Sequence, residues 1–292
     1  MKKFIFIAAM AFGLLFVACD DDEIVSTTKE LSLSIDGLEN LGSDYVYEGW
    51  IVVNKKPKTT GRFSVDDKGK LSQSTFTVNK ADLAVASTFI LTIEPASGDD
   101  PAPSNVHILA GDFSGTSGNL TIDHGAALGN DFSTVAGSYI LATPTDGSNN
   151  NENSGIWFLS IESKSPKAGL ILPVLPDGWI YEGWVVIDGV AVTTGTFSMN
   201  TGVDNFDGFS STLNDGPPFP GEDFIINAPS GLSFPTDLAG GKTVISIEPV
   251  PDNNTKPFLL KPLVGDIPTN AKDHITYSIG KNLNFPTGTV SR

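Results

Sequence analysis

One cysteine in 292 residues leaves no partner for an intrachain disulfide, so packing and hydrogen bonds alone must hold the fold. The three histidines, His107, His124 and His274, have neither His-x-His nor His-Glu-x-x-His spacing. With no second cysteine, no zinc-ligand set is offered. Basic residues are few: 18 Lys and Arg stand against 34 Asp and Glu, a net charge of −16 at pH 7. That balance argues against nucleic acid or an anionic membrane surface as a partner. There is no Gly-x-Ser-x-Gly elbow, phosphate loop or dinucleotide fingerprint, so the expectation is a non-enzymatic protein with no catalytic residue, cofactor or metal. A carboxylate pair for glycoside cleavage stays open, because acids are plentiful and their separation cannot be read from sequence. Beyond the N-terminus no run approaches the roughly 20 apolar residues of a spanning helix.

What is present begins with a leader. Lys2 and Lys3 precede an apolar run from Phe4 to Val17, the pattern of a signal peptide and too short for a comfortable membrane span. Phe16-Val17-Ala18-Cys19 resembles the lipobox of bacterial lipoproteins. The expectation is therefore a leader over 1–18, lipidation at Cys19 and an acidic tether over 19–30, with acyl chains contributing about 0.8 kcal/mol per buried CH₂ to anchoring. Asp20-Asp21-Asp22-Glu23 resembles the export tag of surface lipoproteins. An Asp directly after the lipidated Cys also resembles an inner-membrane retention signal. The surface or outer membrane is the favoured location, with the inner membrane, facing the periplasm, as the alternative.

The chain beyond the tether repeats itself. Tyr47-Glu48-Gly49-Trp50 returns as Tyr181-Glu182-Gly183-Trp184, each time ahead of Thr-Thr-Gly, which reads as a turn, at an offset of 134 residues. Ile93-Glu94-Pro95 matches Ile247-Glu248-Pro249, and Gly111-Asp112 matches Gly265-Asp266, at an offset of 154. Short apolar runs separated by Gly, Pro and Asp turns read as strands: Leu31 to Ile35, Tyr45 to Val53, Gly61 to Val65, Leu71 to Val78, Thr88 to Glu94, Val106 to Ala110 and Gly155 to Ile161. Asn54 to Lys58 and Asp66-Asp67-Lys68-Gly69 read as turns, and Ala81 to Ala86 as one helical turn. Gly and Pro, 30 and 19 in number, work against long helices. The predicted fold is all-β: two homologous β-sandwich-like domains from an internal duplication, over 31–162 and 168–292, with a linker over 163–167.

Several stretches carry a family likeness. Ile93-Glu94-Pro95, then Asp99-Asp100-Pro101-Ala102-Pro103-Ser104 and an apolar strand, resemble the extracytoplasmic domain of anti-sigma-K factors (RskA-like). Tyr-Glu-Gly-Trp, Gly155-Ile156-Trp157-Phe158-Leu159 and Pro220-Gly221-Glu222-Asp223-Phe224 resemble envelope proteins carrying that domain. The resemblance implies a sensor-like β scaffold. The family's sigma-binding helical domain and transmembrane helix have no counterpart in the sequence, so the resemblance does not extend to sigma-factor binding.

The candidate binding residues are Glu48, Trp50, Glu182 and Trp184. Strand alternation puts Glu48 and Trp50 on one face, and an unpaired carboxylate there would be costly to bury. They form either an aromatic-plus-carboxylate binding spot or a core Trp beside a Glu that accepts from loop N–H groups; the second is favoured, because the motif occurs in both units. Arg62 is a candidate partner for Glu48, but its counterpart is Thr196. Glu94 and Glu248 could take a cation or a basic partner, and anchoring of the following loop is preferred. Asp204-Asn205-Phe206-Asp207-Gly208 lacks the ligand spacing of an EF-hand and reads as a turn. The expected function is a lipid-anchored envelope protein that binds a protein or small ligand, senses, or has a structural role. A regulatory component or a surface hydrolase using Glu48 or Glu182 is the alternative.

Overall fold

The computed structural model describes residues 26–147, 151–252 and 254–292. The leader, Cys19 and the acidic run lie outside them. In chain order the strands are β1 (Thr28–Asp36), β2 (Tyr45–Val53), β3 (Lys56–Phe63), β4 (Thr75–Asn79), β5 (Thr88–Pro95), β6 (His107–Asp112), β7 (Ser117–Leu120), β8 (Ala136–Leu141), β9 (Gly155–Trp157), β10 (Leu159–Ser160), β11 (Lys167–Ala168), β12 (Leu170–Ile171), β13 (Trp179–Ile187), β14 (Val190–Phe197), β15 (Gly221–Asp223), β16 (Lys242–Pro249), β17 (Leu263–Asp266), β18 (Tyr277–Ile279) and β19 (Thr287–Ser291). The helix α1 (Lys80–Val85) starts at Asn79, whose side chain accepts from the Ala81 and Asp82 N–H groups. The fold is all-β, as expected.

The repeat is visible as two sheets with one strand order. β3-β2-β5-β6 and β14-β13-β16-β17 are antiparallel throughout, and Tyr47 faces Phe63 as Tyr181 faces Phe197. β-branched and aromatic residues dominate β2 and β13, as suits a pleated surface buried on both sides. Each hairpin turns on two residues with positive φ, Asn54-Lys55 and Asp188-Gly189. The first turn is shorter than the sequence predicts. Pro57 joins β3 because this is an edge strand, where no ladder needs its missing N–H. Thr-Thr-Gly is likewise a bulge within β3 and β14, not a turn: the register shifts between Gly49 and Trp50, and between Gly183 and Trp184. The motif glycine is required there. A Cβ on Gly49 would lie 2.5 Å from Thr60 Oγ1, and one on Gly183 would lie 2.2 Å from Thr194 Oγ1.

Each repeated sheet shares its core with a second layer. In the first unit that layer is β4-β1-β19-β7, and in the second it is β12-β8-β9-β15 with β18 also on β8. Leu31, Leu33, Phe76, Leu120 and Val290 of one layer pack with Tyr47, Phe63, Phe89 and Leu91 of the other. The second layers do not follow the boundary drawn from sequence at 163–167. β19, from the end of the chain, lies between β1 and β7, while β8 and β9 pair with β18 and β15. The first structural unit is thus residues 28–122 completed by 287–292, and the second begins near Ala136. The repeated motifs all lie in the sheets built on β2 and β13, so the sequence repeat carries no information about where the other layers draw their strands.

Removing residues 287–292 takes the fully buried Val290 out of the core and the Arg292 guanidinium off the Leu83 and Ala86 carbonyls. The expected outcome is a lower thermal midpoint, with new protease cuts mapping to residues 28–122 rather than 136–280. Peptide mapping by mass spectrometry checks it.

Candidate functional site

The same chain of hydrogen bonds runs through both units. Trp50 Nε1 donates to Thr92 Oγ1 at 2.9 Å, Thr92 donates to Glu94, and Glu94 Oε1 accepts the Ser104 N–H at 2.9 Å. In the second unit Trp184 Nε1 donates to Ser246 Oγ at 2.8 Å, Ser246 donates to Glu248, and Glu248 Oε1 accepts the Phe258 N–H at 2.9 Å. Trp50, Trp184, Glu94 and Glu248 are buried. They tie the end of one strand to the loop that follows it, which is the anchoring preferred from sequence. Tyr47 and Tyr181 do similar work: each hydroxyl donates to a backbone carbonyl eight residues earlier, of Glu39 and Pro173.

Glu48 and Glu182 are also buried, but their surroundings part company. Thr59 Oγ1 donates to Glu48 Oε1 at 2.5 Å, and Thr193 Oγ1 donates to Glu182 Oε1 at 2.5 Å. These donors are strand side chains, not the loop N–H groups that the sequence suggests. Glu48 Oε2 then accepts Arg62 Nε at 2.7 Å, and the Arg62 guanidinium also reaches Asp99 and the Pro95 carbonyl. At the position facing Glu182 stands Thr196. Among the described residues no hydrogen bond reaches Glu182 Oε2 and no ion pair reaches Glu182. Its carboxylate oxygens, those of Glu248 and those of Asp252 instead come within 4.8 Å of one another. Burial pushes Glu182 up to about 7, against the Thr193 bond and helped by the Asp252 charge. Burial also pushes Glu248 up to about 8, against its bonds from Ser246 and the Phe258 N–H. Glu182 and Asp252 line a cleft of about 510 Å³ with Thr196, Asn205 and Pro249.

A second acidic group escaped the sequence reading. On β15, Glu222 and Asp223 are fully buried. Asp223 accepts Trp157 Nε1 at 2.8 Å and both the N–H and hydroxyl of Thr145, at 2.8 and 2.5 Å. Ser210 Oγ donates to Glu222 Oε1 at 2.5 Å, while Glu222 Oε2 has no partner. Burial raises Glu222 to about 8 and Asp204 to about 6, and it also raises Asp223. Asp204, expected to be part of a plain turn, accepts the Phe206 and Gly221 N–H groups and so fastens its loop to β15. Together these residues shape a cleft of about 720 Å³ lined by Trp157, Phe206, Phe219, Asp207, Asn214 and Ser211. The available signal was Glu222-Asp223 itself: two acids followed directly by Phe224-Ile225-Ile226.

Two outcomes follow from these environments. The folded state keeps a proton on Glu222 that the unfolded state has lost, across a window from about pH 4.5 to about pH 8. Stability therefore falls as pH rises through that window, and Glu222→Gln flattens the fall; denaturant midpoints at a series of pH values check it. At pH 8 with chelator present, Glu48→Gln leaves Arg62 with Asp99 as its remaining carboxylate and lowers stability by about 1–3 kcal/mol. Glu182→Gln removes a buried charge that has no such partner and leaves stability unchanged or raised. Equilibrium unfolding of the two variants side by side gives the comparison.

No family model matches this chain, and comparisons with curated proteins and with solved structures find no match either.

Proposed function

We propose that this chain is a lipid-anchored, non-enzymatic protein of the cell envelope. Its β units hold a cleft that binds a small ligand or a partner segment. The observation that carries this reading is the division of labour among the acids. Glu94 and Glu248 are engaged by N–H groups that tie strand to loop, while Asp223 holds Trp157 and Thr145, which line the cleft of about 720 Å³ with its aromatic, amide and carboxylate residues. Such a lining suits a ligand with an apolar face and hydroxyl or cationic groups, and the exposed Asp207 and Asp215 at its rim disfavour anions.

Anchoring rests on the lipobox-like residues ending in Cys19, and the location favoured is the outer membrane or cell surface. Resemblance to the extracytoplasmic domain of anti-sigma-K factors rests on the motif residues alone and is carried as a reading of the scaffold, not of an activity. A hydrolase working through Glu48 is disfavoured by its bonds to Thr59 and Arg62, which leave neither carboxylate oxygen unengaged.

The full chain expressed in a bacterial host is expected to incorporate labelled palmitate, fractionate with membranes and be shaved from intact cells by protease. Cys19→Ala is expected to lose the label and leave the membrane fraction. A purified protein that hydrolyses glycans, with turnover abolished by a single cleft substitution, would sink the non-enzymatic reading.

A further inference from the structure

The two units differ at one place in a way that points to a ligand. In the first, a cation sits among the carboxylates: the Arg62 guanidinium joins Glu48 Oε2, Asp99 and the Pro95 carbonyl. In the second, the strand residue equivalent to Arg62 is Thr196, which faces Glu182 as Arg62 faces Glu48. The acids are retained. Glu182 matches Glu48 down to the Thr hydroxyl on Oε1, and Asp252 follows Glu248-Pro249 much as Asp99 follows Glu94-Pro95. At the strand position that carries the guanidinium in the first unit, the second carries the uncharged Thr196.

We propose that the second unit binds a divalent metal cation, of the calcium class, in the place that the Arg62 guanidinium occupies in the first. Its ligands are carboxylate oxygens of Glu182, Glu248 and Asp252. Two independent observations converge here. Glu182 is only 6% exposed, and its Oε2, the counterpart of the atom that binds Arg62, accepts no hydrogen bond among the described residues. The three carboxylates also bring oxygens within 4.8 Å of one another. Calcium takes six to eight oxygen ligands at about 2.3–2.6 Å in flexible geometry, whereas magnesium demands a near-ideal octahedron at about 2.0–2.1 Å, so a set drawn from two strands and a loop suits calcium. An all-oxygen set disfavours zinc and copper. Pro249 and Asn205 line the same cleft, which leaves room for neutral oxygen ligands or water to complete the shell.

The test uses the full chain purified in detergent, stripped with chelator and titrated with calcium chloride in a calorimeter, with thermal unfolding followed in parallel. Magnesium chloride and sodium chloride at matched ionic strength serve as controls. The expected result is one calcium per chain and a midpoint that rises with calcium but not with sodium. Thr196→Arg rebuilds the guanidinium of the first unit, and it is expected to abolish calcium binding while raising the calcium-free midpoint. Glu182→Gln is expected to weaken binding at least about tenfold, the lower end of what even outer-shell changes cost a metal site; it keeps the question decidable if Thr196→Arg does not fold. Absence of both heat and midpoint shift in the wild type overturns the proposal, as does a Glu182→Gln variant that binds calcium unchanged. A midpoint raised by arginine amide and not by calcium also overturns it, and assigns the place to a partner's basic side chain instead.

Discussion

A carboxylate withdrawn from water must be met by donors, and the architecture here turns on how that requirement is satisfied at the end of one strand. Glu94 and Glu248 lie inside the protein, where an unpaired charge would cost several kcal/mol. Each is met from the sheet side by a hydroxyl that is itself oriented by a Trp indole, and from the loop side by a backbone N–H. The pairing works in both directions. Oε1 of each carboxylate is engaged, and the loop after Pro95 or Pro249 is fixed to the sheet without a disulfide. Trp50 and Trp184 act through this line of bonds as well as through their burial, which explains why the motif pairs an indole with a short hydroxyl on the neighbouring strand. Thr92 and Ser246 differ in a methyl group and do the same job.

Around that common frame the units differ in charge. The first closes its acidic corner internally with Arg62. The second gathers Glu182, Glu248 and Asp252 without a strand arginine, and burial, with a smaller contribution from neighbouring acids, raises the proton affinities of Glu182 and Glu248. Beside it, the buried Glu222 and Asp223 and the half-buried Asp204 bring further acids to an adjoining cleft. An acidic composition is ordinarily a statement about solvated surface. Here a good part of it is interior, where each group needs a hydroxyl, an indole, a backbone N–H, a guanidinium or a proton.

How much of this could be read in advance depended on whether the determinant was local. β2 spans the residues that its apolar, β-branched run indicates, Tyr45–Val53, and α1 falls where a helical turn was expected, because propensity and capping act over a few residues. The repeat and the loop-anchoring role of Glu94 and Glu248 were legible, since both lie within recurring motifs. Arg62 was visible as a partner for Glu48, and its replacement by Thr196 was visible too. The approach of Asp252 to Glu182 and Glu248 was not, because it lies in a loop whose residues do not match those of its equally long counterpart between Pro95 and Gly111. The strands of the second layers were illegible for a related reason. β8, β9, β15 and β18 are short and joined by pairing across up to about 140 residues, and nothing in residues 277–279 announces Ala136–Leu141 as their neighbour. The bulge at Thr-Thr-Gly was mistaken for a turn, since Gly with positive φ serves both.

The position of β19 bears on the order in which the molecule can be made. Chains generally fold domain by domain as they emerge, the N-terminal part first. Here the N-terminal unit waits for residues 287–291, which fill the gap between β1 and β7. Until they arrive, two strand edges stand open in the part of the chain that leaves the ribosome earliest. A unit built this way stays open while more than 160 further residues, 123–286, are made. β19 is thereby the latch that closes the N-terminal unit.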